Sequence, residues 1–243
     1  MRSPSKLLSR NWSFIAALML CLTAVSGAGA QSFSSILNLV YPPNSLPALQ
    51  PYRTHAAHWW KWILAQPKNT SALLDTTGAK CGTGQSGPVW FLAGAPGELV
   101  EPAVNTVTRS CTIPSGRTII FPVVNSAYFA FPDDPADQRT ETYVRDQVDY
   151  VAEATNLQAS LDGVAIQNPA RYYEQSDLFS ATLPANNIYD VPAGQVFSPS
   201  ADAGYYIAVQ PLLPGRHTLR FHGTLAGQTF DVTYNLTISL FPF

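Results

Sequence analysis

The sequence predicts a mainly β protein: an antiparallel β-sandwich with an N-terminal helix and one inserted helix. Three observations carry this. Short runs rich in β-branched and aromatic residues recur from Val89 onward, as in VWFLA (89–93), VTRSCTI (107–113) and RTIIFPVV (117–124). Turn pairs punctuate the runs, with Asp162-Gly163 between LQASL and VAIQN the strongest of them. In the last run Phe230, Val232, Tyr234, Leu236 and Ile238 alternate with Asp231, Thr233, Asn235 and Thr237, so one face is buried and one is wet.

The elements follow in order. Residues 1–30 read as a signal peptide: Arg2, Lys6 and Arg10 precede an apolar core from Phe14 to Val25, and Ala28 and Ala30 stand in A-x-A position before Gln31. That core is too short to span a bilayer, which takes about 20 apolar residues. Cys21 is followed by further apolar residues and preceded by Leu20, which argues against a lipoprotein cysteine. Residues 31–243 are then expected to form a single β-sandwich-like domain, opening on a lead-in with the apolar patch ILNLVYPP.

In PYRTHAAHWWKWILAQP, Tyr52, Ala56, Trp59 and Ile63 recur on one helical face, with Pro51 at the start and Pro67 beyond the end. A second helix is expected from Asp134, its cap, through Pro135 to Glu153, with Val144, Val148 and Val151 as its apolar stripe and Arg145 paired with Asp149. Pro114-Ser115-Gly116 joins two strands. The C-terminal part, GYYIAVQPLL, RHTLRFHGTL and TFDVTYNLTISLF with short turns between, reads as a three-stranded meander.

Net charge is −2 and charged residues make up 12% of the chain, with no basic stripe, so nucleic acid is excluded as a partner. Hydrophobic residues at 46% indicate a well-buried core. No apolar run after the signal approaches membrane-spanning length. Beyond the signal only Cys81 and Cys111 remain, and in an exported chain two cysteines read as one disulfide. The loop of about 30 residues so closed is worth roughly 3–4 kcal/mol in the chain-entropy model.

Catalytic motifs are approached and missed. Gly84-Gln85-Ser86-Gly87-Pro88 has Pro88 where a nucleophile elbow needs glycine, and a strand follows where a helix should. Leu73-Leu74-Asp75-Thr76-Thr77-Gly78 resembles an aspartic-protease loop with one residue inserted and no second copy; Asp75 fits an Asx-turn. His55 and His58 share a helix face, while His217 and His222, five apart in one strand, face opposite sides, so the histidines do not converge on a metal. His58, Asp75 and Ser86 are therefore the candidates for a catalytic role, and no metal or cofactor is expected. Trp59, Trp60, Trp62 and Trp90 are the binding candidates; three of them leave one helix in different directions.

The strings HWWKWILAQP (58–67), DTTGAKCGTGQSGPVWFLAG (75–94), TRSCTIPSGRTIIFPVVNS (108–126) and YYIAVQPLLPGRHTLRFHGT…FDVTYNLTI (205–238) resemble a group of uncharacterised exported bacterial proteins. The likeness implies bacterial export, a shared fold and the pairing of Cys81 with Cys111. It carries over no catalytic residue.

Together these readings favour a secreted or periplasmic binding module for a glycan or another cell-surface component, without catalysis. A secreted hydrolase assembled from separate segments is the first alternative. An outer-membrane or structural protein is the second, raised by the terminal Leu240-Phe241-Pro242-Phe243.

Overall fold

The computed structural model describes residues 39–240. Residues 1–30, expected to be a signal peptide, with Cys21 among them, the first part of the ILNLVYPP patch and Phe241-Pro242-Phe243 lie outside the described residues.

Helix α1 (Tyr52–Leu64) forms where the periodicity places it, with Pro51 as its extended N-terminal cap rather than its first helical residue. Among the described residues ten strands follow: β1 (Val89–Phe91), β2 (Thr106–Pro114), β3 (Thr118–Phe129), β4 (Thr155–Leu161), β5 (Val164–Ala165), β6 (Tyr173–Gln175), β7 (Phe179–Thr182), β8 (Val196–Val209), β9 (Gly215–Leu225) and β10 (Gln228–Ser239). They make two five-stranded sheets. One runs β1-β3-β8-β6 with β7 also on β8; the other runs β2-β10-β9-β4-β5. The sheets pack face to face as a sandwich. Phe121 of β3 stacks on Phe221 of β9 with centroids 4.8 Å apart, and Phe221 stacks in turn on Tyr234 of β10.

Most pairings are antiparallel, as expected, but β1 runs parallel to β3 and β2 parallel to β10. Asp162 (φ 51°) and Gly163 (φ 78°) turn β4 into β5, and Ala226 (φ 49°) and Gly227 (φ 78°) turn β9 into β10, both as left-handed pairs of the hairpin type.

Two expectations are corrected. The C-terminal meander is not one sheet: β8 belongs to the first sheet, β9 and β10 to the second. Between β8 and β9, Pro211 and Pro214 lack the N–H groups that a hairpin ladder would use, and the chain crosses the sandwich there. The turn after β2 crosses in the same way into β3.

The inserted helix is also broken. It divides into a 3₁₀ turn (Ala136–Arg139), helix α2 (Glu141–Asp146) and a second 3₁₀ turn (Asp149–Glu153). Asp134 caps no helix; its carboxylate accepts the Phe131 N–H at 2.7 Å. Thr140 caps instead, accepting the Tyr143 N–H at 3.2 Å. Arg145 pairs with Glu141 rather than Asp149, whose carboxylate takes the Gln175 amide. Val144, Val148 and Val151 are all buried, so the apolar stripe is right although the helix is not continuous.

Helix α1 lies on the outer face of the first sheet. Trp60 meets Phe129 of β3 edge-on at 5.3 Å and bonds to Asp202 of β8. The first sheet is thus covered on both faces, by α1 and by the second sheet. This is why β3 and β8 carry unbroken buried runs where β2 and β10 alternate.

Candidate functional site

A bulge in β3 builds the site. Pro122 pairs with Tyr206 and Asn125 with Gly204, so three steps along β3 match two along β8. Residues three apart in a regular strand face opposite sides; the extra residue puts Pro122 and Asn125 on the same, helix-facing side. Gly204 leaves room for this. A Cβ there would stand 2.6 Å from the Asn125 Cβ and 2.7 Å from the Tyr206 ring.

Asp202 sits at the centre of this face and is fully buried. Its Oδ1 accepts the Trp60 indole N–H at 2.6 Å and the Asn125 amide at 3.3 Å, and its Oδ2 accepts the Tyr206 hydroxyl at 2.8 Å. The Asn125 amide also donates to the Tyr206 oxygen at 2.9 Å. Burial pushes the Asp202 carboxyl up to about 7, with the hydrogen bonds from Trp60, Tyr206 and Asn125 opposing it. Burial, and then the Asp202 carboxylate, hold the Tyr206 phenol well above its ordinary range.

Trp60 and Asn125 present their other atoms to a cavity of about 290 Å³. Trp59, Trp60, Pro122, Val124, Leu225 and Phe230 supply its apolar wall, and Glu98, Asn125, Ser126, Tyr150 and Gln228 bring polar groups. Those polar groups are held in place. Gln228 donates to Glu98 at 2.5 Å, and the Tyr150 hydroxyl donates to the Ser126 hydroxyl at 2.7 Å.

The tryptophans named from sequence are all buried. Trp59 and Trp60 line this cavity, with Trp59 donating to the Leu92 carbonyl at 2.9 Å. Trp62 donates to the Thr83 carbonyl at 2.7 Å and lines a second cavity. The Trp90 indole N–H has no partner among the described residues.

Of the catalytic candidates, His58 and Ser86 line that second cavity together, but no hydrogen bond joins them among the described residues. Burial first, and Lys61 second, hold the His58 imidazole below its ordinary range. Asp75 is elsewhere, closing a turn: its carboxylate accepts the Thr77 and Lys80 amides at 2.9 and 2.8 Å. Burial pushes that carboxyl up, but those bonds outweigh it and keep it below its usual value. The four histidines do not converge: His55 and His58 border the second cavity, with His55 bonded to the Pro47 carbonyl, while His217 bonds to Asp162 and the Leu213 carbonyl and His222 lies near Asp231. Among the described residues no group of three metal-ligating side chains converges.

Cys81 and Cys111 form the expected disulfide, with Cα atoms 5.9 Å apart. It works with two other fastenings. Gly78, at φ 92°, packs so closely on β2 that a Cβ would stand 2.2 Å from the Ser110 carbonyl oxygen. Arg109, 1% exposed, sends its guanidinium to the carbonyls of Leu73, Asp75, Ala93 and Gly94 and to the Tyr234 hydroxyl.

Asp202 and Arg109 are the residues that sequence reasoning missed. Arg109 left a signal: in VTRSCTI it falls in step with Val107, Cys111 and Ile113, on the inward face. Asp202 left a weaker one, an acid among small residues in SADAGYY.

No protein-family description and no curated protein matches the chain. Among solved structures, it is similar to a family 123 glycoside hydrolase from Clostridium perfringens, described for glycolipid glycan hydrolysis, at 14% identity with a TM-score of 0.21. The match takes in 60% of this chain and 25% of that enzyme's chain, so it spans only a quarter of the enzyme. A likeness at that level assigns neither fold nor function.

Proposed function

We propose that this chain is an exported binding protein whose cavity beside Trp60 seats one saccharide-type unit, a small ring with hydroxyl groups and an apolar face. The lining carries the reading. Trp60, Pro122 and Phe230 offer an apolar wall for ring C–H groups, and Asn125, Gln228, Glu98 and Ser126 offer donors and acceptors for hydroxyls. A volume of about 290 Å³ suits one ring, since ligand pockets begin at roughly 300 Å³. Among the described residues Glu98 is the only acid in the lining, and glycoside hydrolysis ordinarily needs two carboxylates flanking the bond. We therefore read the cavity as one for binding rather than for turnover.

Export is part of the proposal. It rests on the signal-like segment 1–30 and on the disulfide, which persists in oxidising compartments. No described helix is long and apolar enough to cross a membrane.

A glycan array probed with the disulfide-bonded protein tests the reading. The expected result is saturable binding to a defined set of glycans, weakened at least about tenfold by Phe230→Ala and by Gln228→Ala. Both residues are partly exposed on β10, so folding is retained. Absence of binding across the array, or binding that both variants leave intact, overturns it.

A further inference from the structure

The second cavity, of about 390 Å³, lies between α1 and the turn that leads into β1. Two positions along a helix are about 200° apart, so Trp62 leaves α1 on the flank opposite Trp60 and lines different space. Here the lining carries the positive charge of Lys61, beside a His58 imidazole that burial holds below its ordinary range. His58 and Lys61 project from α1, Ser86 stands exposed on the facing turn, and among the described residues no carboxylate lines the cavity. Among the described residues the side chains of His58, Lys61 and Ser86 have no hydrogen-bond or ion-pair partner.

One wall is aromatic and fixed. The Trp62 and Phe91 rings lie 5.8 Å apart at 31°, and the Trp62 indole is tied to the Thr83 carbonyl. The turn opposite is fixed too. The Gln85 amide donates to the carbonyls of Cys81 at 3.0 Å and Phe91 at 2.7 Å and accepts the Phe91 N–H at 3.0 Å, while Cys81 is held by its disulfide. An apolar ring wall, a lysine without an ion-pair partner and a hydroxyl on a rigid turn therefore surround one space, with Asp177 acting on His58 from outside the lining. The aromatic wall and the turn, fixed in this way, lose little freedom on binding.

We propose that this cavity is a separate binding site for a carboxylate-bearing sugar ring of the uronic-acid type. The ring face rests on Trp62 and Phe91, the carboxylate meets Lys61 beside His58, and a ring hydroxyl bonds to Ser86. The site stands independently of the cavity beside Trp60.

Calorimetric titration of the disulfide-bonded protein with glucuronate, galacturonate, their neutral parents glucose and galactose, and inorganic phosphate tests it. A uronate is expected to bind at least about tenfold more tightly than its neutral parent and than phosphate, and more weakly as salt rises. Lys61→Met, at an exposed helix position, is expected to remove most of that preference, and Ser86→Ala to weaken binding a few-fold. Phe230→Ala, in the other cavity, leaves it unchanged. No uronate binding, a neutral sugar binding as well as its uronate, phosphate binding as tightly, or a Lys61→Met variant with full affinity each overturns the proposal. Loss of uronate binding in Phe230→Ala would place the sugar in the other cavity and overturn it as well.

Discussion

Asp202 is a carboxylate in a place where charge is costly, and the three donors around it do not fully offset that cost. Its folded-state value of about 7 lies above the ordinary carboxylate range, so the folded chain holds this proton more tightly than the unfolded chain. The sign follows: stability from this group is fullest below about pH 4 and is lost as pH rises through about 7. The effect is on the order of 3–4 kcal/mol. Asp202→Asn keeps the shape and removes the titration. Urea unfolding from pH 4 to 8 is expected to show the wild type losing stability relative to the variant by about that amount, and parallel curves would refute the assignment. Taking the difference cancels His55 and His58, whose lowered values give slopes of the opposite sign.

Arg109 poses the complementary case, a buried guanidinium whose partners are carbonyls and a phenol. Arg109→Lys cannot span four carbonyls from one fixed fork. The groups left unbonded are expected to cost at least about 3 kcal/mol in denaturant unfolding. A loss below about 1 kcal/mol would mean that the carbonyls find other partners. Alternation within VTRSCTI marks Arg109 as inward-facing. What it meets there comes from segments 73–75, 93–94 and 234, which no local pattern brings together.

Among the elements, α1 and the alternating strand β10 were legible because each has a long amphipathic period that tertiary packing reinforces. The inserted helix was misread because its valines keep a helical spacing across a chain that bends at Val148 (φ −112°, ψ 0°). The bulge at Val123–Val124 leaves no mark in IIFPVVNS, yet it decides that Asn125 reaches the cavity. The turn from Asp75 to Val89 was readable as a disulfide-held loop, and Ser86 stands in it as an exposed turn residue. Residues 31–243 made in an oxidising compartment are expected to show no free thiol when denatured, and reduction is expected to lower stability by roughly 2–5 kcal/mol. Two titratable thiols before reduction would contradict the pairing.

For the whole molecule, the two-layer β architecture follows from composition and turn spacing, but the assignment of strands to sheets does not. The links β2–β3 and β8–β9 look like hairpin turns and are crossings between sheets. The consequence is functional. By sending β8 to the helix-covered sheet, the fold brings Asp202 under Trp60, and Trp60 and Asn125 to one cavity wall. Sequence reasoning selected Trp60 but could not supply the acid behind it, because the two lie 142 positions apart.

The claim that the Trp60 cavity binds the saccharide can be read directly from indole N–H signals. The chain has five tryptophans, of which Trp12 precedes residue 31, so ¹⁵N-tryptophan labelling of residues 31–243 yields four indole resonances, assignable by Trp→Phe variants. On titration with a glycan selected from the array, the signals of Trp60, bonded to Asp202, and of its neighbour Trp59 should shift with saturation. Those of Trp62 and Trp90 should stay in place. Movement of Trp62 alone, or saturable binding that leaves the Trp59 and Trp60 signals unmoved, would contradict the account.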